Sequence, residues 1–354
     1  MREGSKMTEE QKQHIRNSLK KFGKRTAWNK GIPMKKEAKQ KLRLANLGKV
    51  RELAGNWKGG REEYAKKLAL ENLPNKCNLC NSIKNLHIHH KDLIGTKYGL
   101  VGLSEIINNR LDNLEILCSS CHRDLHNKIK KKSVLVLFSS GLDSTTALYW
   151  ALSNFKQVSA LTFDYQQIHS KEVKLSKTVT DLLKIKHWII QLDTWQQMKN
   201  KISLIQGSLE KIKTHRKIEE MISNIPNTFV PGRNLLFLTI AGAFCSTYNI
   251  DFIVTGFNYI DASGYPDTRP EFVKITEESI RLAIQKPELR IFCPLIYLTK
   301  AQIIKLGTYL DVDYSKTWSC YQGREKACGK CDTCKLRMKG FKEAGVKDPT
   351  KYLR

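Results

Sequence analysis

From position 134 onward, short apolar runs alternate with stretches of helical spacing. The runs Val134–Phe138, Val158–Phe163, His187–Leu192 and Phe252–Thr255 read as strands. Val134–Phe138 is unbroken, the mark of a strand covered on both faces. It ends in Ser139-Ser140-Gly141-Leu142-Asp143-Ser144, and Thr145–Leu152 continues with helical spacing. Strands alternating with helices predict an α/β fold with a doubly wound parallel sheet.

Ahead of position 133 the pattern is different. Residues 1–60 carry 17 Lys/Arg against 5 acids and almost no aromatic core. Met7–Leu19 and Met34–Asn46 echo each other as two short basic helices, each followed by Gly-Lys. Between them Ala27–Pro33 is a turn that presents Trp28 among cations. Of the net charge of +27, residues 1–132 hold +17 (30 Lys/Arg less 13 Asp/Glu). A polyanion such as DNA is therefore the expected partner of the first third, with binding that weakens steeply in salt. No long apolar run or signal-peptide pattern is visible, so the expectation is a soluble, cytoplasmic protein with no membrane partner.

The strand-to-helix turn at Ser139–Ser144 aims backbone N–H groups and the positive end of a helix dipole at one spot, which suits a phosphate. No lysine follows the glycine, so an ordinary P-loop is a poor reading. The turn resembles the Ser-Gly-Gly-x-Asp-Ser loop of pyrophosphate-forming ATPases (adenine nucleotide α hydrolase-like), with Ser140 where those proteins have glycine. The resemblance makes Phe138, Ser139, Ser140, Gly141, Leu142, Asp143 and Ser144 the ATP and pyrophosphate site.

Eight of the ten cysteines fall into two groups. Cys77, Cys80, Cys118 and Cys121 make two Cys-x-x-Cys pairs, and Cys320, Cys328, Cys331 and Cys334 cluster near the C-terminus. Four thiolates at such spacing predict a structural zinc site in each case.

Among the first cysteines stand Leu86-His-Ile-His-His-Lys-Asp92, Asn113, His122 and His126. The arrangement resembles HNH endonucleases, a small α+β ββα-metal fold, over about residues 57–128. The Trp-Asn-Lys-Gly turn and basic helices resemble the DNA-binding modules appended to homing endonucleases. By that resemblance His90 is the general base, Asn113 orients it, and His89 with His122 and His126 binds a catalytic divalent metal.

The C-terminal part resembles 7-cyano-7-deazaguanine synthase over about residues 133–352. The motifs are the loop, Asp164-Tyr-Gln-Gln-Ile-His-Ser-Lys-Glu172, Val230-Pro-Gly-Arg-Asn234, Ser263-Gly-Tyr-Pro-Asp-Thr-Arg-Pro-Glu-Phe272 and the four-cysteine tail. The resemblance implies that ATP adenylates 7-carboxy-7-deazaguanine, that ammonia gives the amide, and that a second ATP drives dehydration to the nitrile. Mg²⁺ would share the phosphate charge. Asp143 would bind Mg²⁺ or brace the loop, and Arg233 would clamp an anion. Tyr165, His169, Glu172, Asp261, Tyr265, Asp267, Arg269 and Glu271 would hold the base and its carboxylate.

Gln166 and Ile168 stand where that family has Gly and Arg, Thr268 where it has Cys, and Gly232 where it has Ala. Those departures leave open a rival activity, joining the activated base to a protein or nucleic-acid amine. The expected organisation is a basic arm at 1–56, the nuclease-like zinc domain at 57–128, a basic linker at 129–132 and the ATP-dependent domain at 133–354. Oligomeric state stays open, a homodimer among the options.

Overall fold

The computed structural model describes residues 71–91, 93, 113–168, 170–214, 225–258, 264–322 and 325–353. The chain divides into two compact units, Met1–Asn56 and Trp57–Arg354, and every described residue lies in the second. The basic arm of the sequence reading thus falls outside the described residues, as do His169 and Asp261.

Two strands open the described chain, β1 (Leu86–His90) and β2 (Leu114–Cys118), paired antiparallel with His89 opposite Glu115. Helix α1 (Ser119–Lys130) follows directly. The expected linker at 129–132 is partly the last turn of this helix, and its last cation is tied down. Lys132 Nζ lies 2.7 Å from Asp251, whose other oxygen accepts from the Ser133 amide at 2.8 Å.

The rest alternates strand and helix: β3 (Ser133–Leu137), α2 (Leu142–Asn154), β4 (Gln157–Asp164), α3 (Ser170–Leu183), β5 (Lys186–Gln191), α4 (Arg233–Thr247), β6 (Phe252–Val254), α5 (Pro270–Ala283), β7 (Arg290–Phe292), α6 (Lys300–Tyr309) and α7 (Asp332–Ala344). The sheet order is β5-β4-β3-β6-β7, every pair parallel. The four expected strands are present within a residue or two of their predicted ends. β7, three residues long, carries too little pattern to be read in advance.

Side chains on the central strand alternate between two cores, as the period of two requires. Val134 and Val136 join Leu148, Ile303 and Phe341 on one face, under α2, α6 and α7. Leu135 joins Leu161, Leu238, Ile253 and Ile280 on the other, under α4 and α5. Burial on both faces is why β3 is apolar throughout. From β3 the chain turns to one side for β4 and β5, then returns to the other side for β6 and β7. The carboxyl end of β3 is thus the switch point at which ligands bind in such sheets.

Candidate active site

The loop after β3 is held by its own hydroxyls. Ser139 Oγ and Ser144 Oγ lie 3.1 Å apart, and Thr145 Oγ1 donates to the Gly141 carbonyl at 2.8 Å. No side chain caps α2, whose N-cap is Gly141, so the first N–H groups of the helix face the cavity without a protein side chain on them. Ser140 has φ +56°, a conformation that glycine adopts without strain. Its buried hydroxyl donates to the Glu172 carbonyl at 2.8 Å, a bond glycine could not make. Gln166, also in a glycine position of the resemblance, has φ +58°, whereas Gly232 has φ +69° where the resemblance has alanine.

Gly256, just past β6, makes the loop's position possible. A Cβ there would lie 2.7 Å from the Ser144 nitrogen and 2.9 Å from the Asp143 carbonyl carbon. Asp143 places both carboxylate oxygens on Lys300 Nζ, at 2.7 and 2.8 Å.

A cavity of about 330 Å³ opens over the loop. It is lined by Phe138, Ser139, Gly141, Leu142, Asp143 and Ser144 from the loop, and by Tyr165, Glu172, Arg233 and Tyr265 from the expected base site. Ser140 lies beneath, fully buried. Asp267 is buried behind Arg233, where Asn234 Nδ2 donates to its carbonyl at 3.1 Å. Burial raises the Asp267 carboxyl pKa, and the Arg233 charge works against that rise. Arg269 and Glu271 are exposed and do not line the cavity, so the structure does not bring these two to the site. They open α5, where Glu271 suits the helix N-terminus.

The cavity's walls differ in character. Phe163 and Phe237 stack at 4.0 Å between ring centres, a flat apolar surface matched to an aromatic heterocycle. Arg233 Nη1 donates to the Tyr165 hydroxyl at 3.2 Å. Burial pushes the Glu172 carboxyl up to about 8, with the Arg233 charge opposing, so it carries a proton near neutrality. Thr228, Tyr265 and Tyr321 form a hydroxyl chain with links of 2.7 and 3.1 Å.

The matching family model is Queuosine biosynthesis protein QueC, over residues 133–345. The chain belongs to the QueC family.

Three relatives match this region over nearly their whole length, and each is a 7-cyano-7-deazaguanine synthase. That of Thermoplasma volcanium is 43% identical over 224 residues, 62% of this chain and 91% of the relative. That of Leptospira interrogans is 45% identical, covering 60% and 88%, and that of Trichodesmium erythraeum is 40% identical, covering 61% and 98%. The first 132 residues lie outside the QueC match.

Within the QueC region, Cys320, Cys328, Cys331 and Cys334 are all buried, with sulfurs within 4.8 Å of one another. Thiol hydrogen bonds from Cys320 and Cys334 lower the Cys331 pKa, while the same crowding raises Cys334. Four clustered thiols, negative when deprotonated, are a donor set that fits zinc. Cys331 also starts α7. The cysteine segment belongs to the site. Trp318 N donates to the Ser140 carbonyl at 3.0 Å, and Trp318, Ser319, Tyr321, Thr333 and Arg337 line the cavity.

Lys300, Asn258, Tyr321 and Arg337, which stand outside the expected site residues, also line the cavity. The one local signal was the capping box Thr299–Gln302, which marks the start of α6 where Lys300 stands. Two departures from the family pattern separate here. Thr268 lines the cavity and donates to the Tyr265 carbonyl at 3.1 Å, whereas Ile168 is 39% exposed and does not line it.

Ahead of the QueC region, Cys77, Cys80, Cys118 and Cys121 form a second thiol cluster, also within 4.8 Å. Beside it His89, His122 and His126 each bring a ring nitrogen within 4.8 Å of the others. His89 is 2% exposed, and its Nδ1 has no hydrogen-bond partner among the described residues. Burial, then His126 and His122, push its pKa down to about 3, so the ring is neutral and able to ligate. His90 lies next to this trio in β1, and the Asn113 carbonyl accepts from the Lys91 amide at 2.9 Å. No helix among the described residues is long and apolar enough to cross a membrane.

Proposed function

We propose that residues 133–354 use ATP to turn 7-carboxy-7-deazaguanine and ammonia into 7-cyano-7-deazaguanine. One observation carries this reading: a single cavity joins an uncapped loop for phosphates to a flat aromatic wall flanked by Arg233 and Glu172.

The chemistry fits these residues. A carboxylate is a poor electrophile until one oxygen becomes a leaving group. Attack of that oxygen on the α-phosphorus of ATP forms the acyl-adenylate and expels pyrophosphate onto the loop Ser139–Ser144. Mg²⁺ enters as the counter-ion of ATP and supplies charge neutralisation on the phosphates. Ammonia then displaces AMP to give the carboxamide. A second adenylation, on the amide oxygen, again expels pyrophosphate, and loss of AMP together with both protons of the amide nitrogen leaves the nitrile. Arg233 holds the carboxylate, later the amide oxygen, at the end of the aromatic slot. Tyr165 and Tyr265 frame the ring, and Glu172, protonated near neutrality, is placed to exchange hydrogen bonds with its edge. Cys320, Cys328, Cys331 and Cys334 would hold a structural zinc, which would fix the part of the cavity wall that Trp318, Tyr321 and Arg337 supply.

The decisive assay combines the protein with ATP, Mg²⁺, ammonia and 7-carboxy-7-deazaguanine, and weighs the base by mass spectrometry. The nitrile, with two AMP formed per base, is the expected product. ATP consumption only with a protein or nucleic-acid amine, and a mass increase on that amine, would replace this reading with the amine-joining rival.

For residues 57–128 we infer a metal-dependent nuclease of the HNH type, with DNA as partner through the basic residues 1–56. The buried Nδ1 of His89, without a partner among the described residues, beside two further imidazoles supports it. His90→Ala is expected to lower metal-dependent nicking of supercoiled DNA by about a hundredfold or more, in line with the loss of a general base. Unchanged nicking would remove the assignment.

A further inference from the structure

A P-loop carries its phosphate-binding lysine within its own sequence, and the loop Ser139–Ser144 has none. The cavity has three lining cations among the described residues, Arg233, Lys300 and Arg337. Arg337 is spent on structure. It donates to Thr317 Oγ1 at 2.7 Å, to the Tyr314 carbonyl at 3.1 Å and to Asp348 at 3.1 Å. Arg233 is engaged with Tyr165 and Asn234 on the side of the aromatic wall. Lys300 alone of the three bonds to the loop, through Asp143.

Its position is built. Lys300 is the first residue of α6, fixed by the capping box of Thr299 and Gln302. Its side chain is 13% exposed. The stem runs past Gly340 of α7, where a Cβ would lie 2.6 Å from Lys300 Cγ and 3.0 Å from Lys300 Cβ. Any larger residue at Gly340 would push the ammonium off its line. α7 in turn starts on Cys331 of the four-thiol cluster.

A half-buried Lys–Asp pair contributes little net stability once desolvation is counted, so its place at a phosphate loop asks for another reason. We propose that Lys300 is the phosphate-binding cation of this site, and that α7 sets its position through Gly340. The inference rests on reading the cavity as an ATP site and deepens it. An ammonium has three donors on a flexible stem. It exchanges one Asp143 oxygen for a phosphate oxygen of ATP, keeps the other, and holds the expelled pyrophosphate in the same way. The helix anchored on the cysteines thus aligns a group on the far side of the nucleotide loop, and Gly340 is a positioning residue.

The test uses the full chain with its zinc, and calorimetric binding of a non-hydrolysable ATP analogue, inorganic pyrophosphate and adenosine. Lys300→Ala and Lys300→Gln are each expected to weaken the analogue and pyrophosphate about tenfold to a hundredfold, the worth of a charge-assisted bond. Adenosine, which has no phosphate, keeps its affinity. Gly340→Ala is expected to weaken pyrophosphate about threefold to tenfold with zinc content and melting temperature little changed. In the Lys300→Ala background most of that effect should vanish, because Lys300 Cγ, the nearest clashing atom, is gone while the 3.0 Å contacts to the residue's Cβ and to Ile304 Cδ1 remain. Wild-type pyrophosphate affinity in both Lys300 variants would overturn the proposal. A Gly340→Ala effect that persists undiminished without the lysine would overturn the positioning by α7. If the wild-type chain binds neither the analogue nor pyrophosphate, the ATP reading itself falls and takes this inference with it.

Discussion

Replacing Gly256 with alanine is expected to cut pyrophosphate release by roughly a hundredfold, the penalty of shifting a reacting site by about an ångström. The new methyl would sit 2.7 Å from the Ser144 nitrogen and 2.8 Å from its Cα, and backbone atoms at the start of a helix cannot swing aside. Either α2 or β6 must move. Overpacking of this kind costs about 1–3 kcal/mol of stability as well. Gly345→Ala is the control. Gly345 has φ +70° and open space around it, so its alanine variant loses about 1 kcal/mol from backbone strain while turnover is unchanged. Stopped assays of pyrophosphate release and thermal melts of both variants separate the two effects. Full turnover in Gly256→Ala would mean that the loop beside it does not hold the reacting phosphates.

Loss of the C-terminal metal site is expected to be the larger blow to the fold. Cys331→Ser, or extraction of zinc by a strong chelator, leaves buried thiols crowded with no cation between them. Metal-binding energy at such sites is folding energy. Even a small part of it, about 4 kcal/mol, lowers Tm by roughly 8–16 °C in a domain of this size. The damage reaches the cavity through contacts already described, Trp318 to the Ser140 carbonyl and Tyr321 to Tyr265. Binding of the nucleotide analogue should therefore fall together with zinc content, measured by elemental mass spectrometry, and return on adding zinc. Retained binding in a zinc-free protein would show that the cysteine segment is a bystander.

Much of the α/β half is legible because its signals are local. Val134–Phe138 must be covered on both faces to satisfy its apolar run, and the two groups of four cysteines each come together within 4.8 Å, as their spacing leads one to expect. Arg269 and Glu271 mark the limit of such reading. They sit in a polar motif beside Asp267, yet the turn at Pro266–Thr268 buries Asp267 and leaves those two outside. A motif names neighbours in the chain; it does not say which of them face inward.

The residues by themselves determined the parallel sheet, the hydroxyl-rich turn between β3 and α2, the two four-cysteine groups and the histidines that flank Cys121, since each depends on spacing or on burial within a short span. The tertiary structure alone decided that Lys300 meets Asp143, that Gly256 makes room for Ser144, and that Tyr321 meets Tyr265. Those contacts join segments far apart in sequence, where no periodicity carries information. Their existence follows from how the crossovers of the sheet bring β3, β6, α6 and the cysteine segment to one edge.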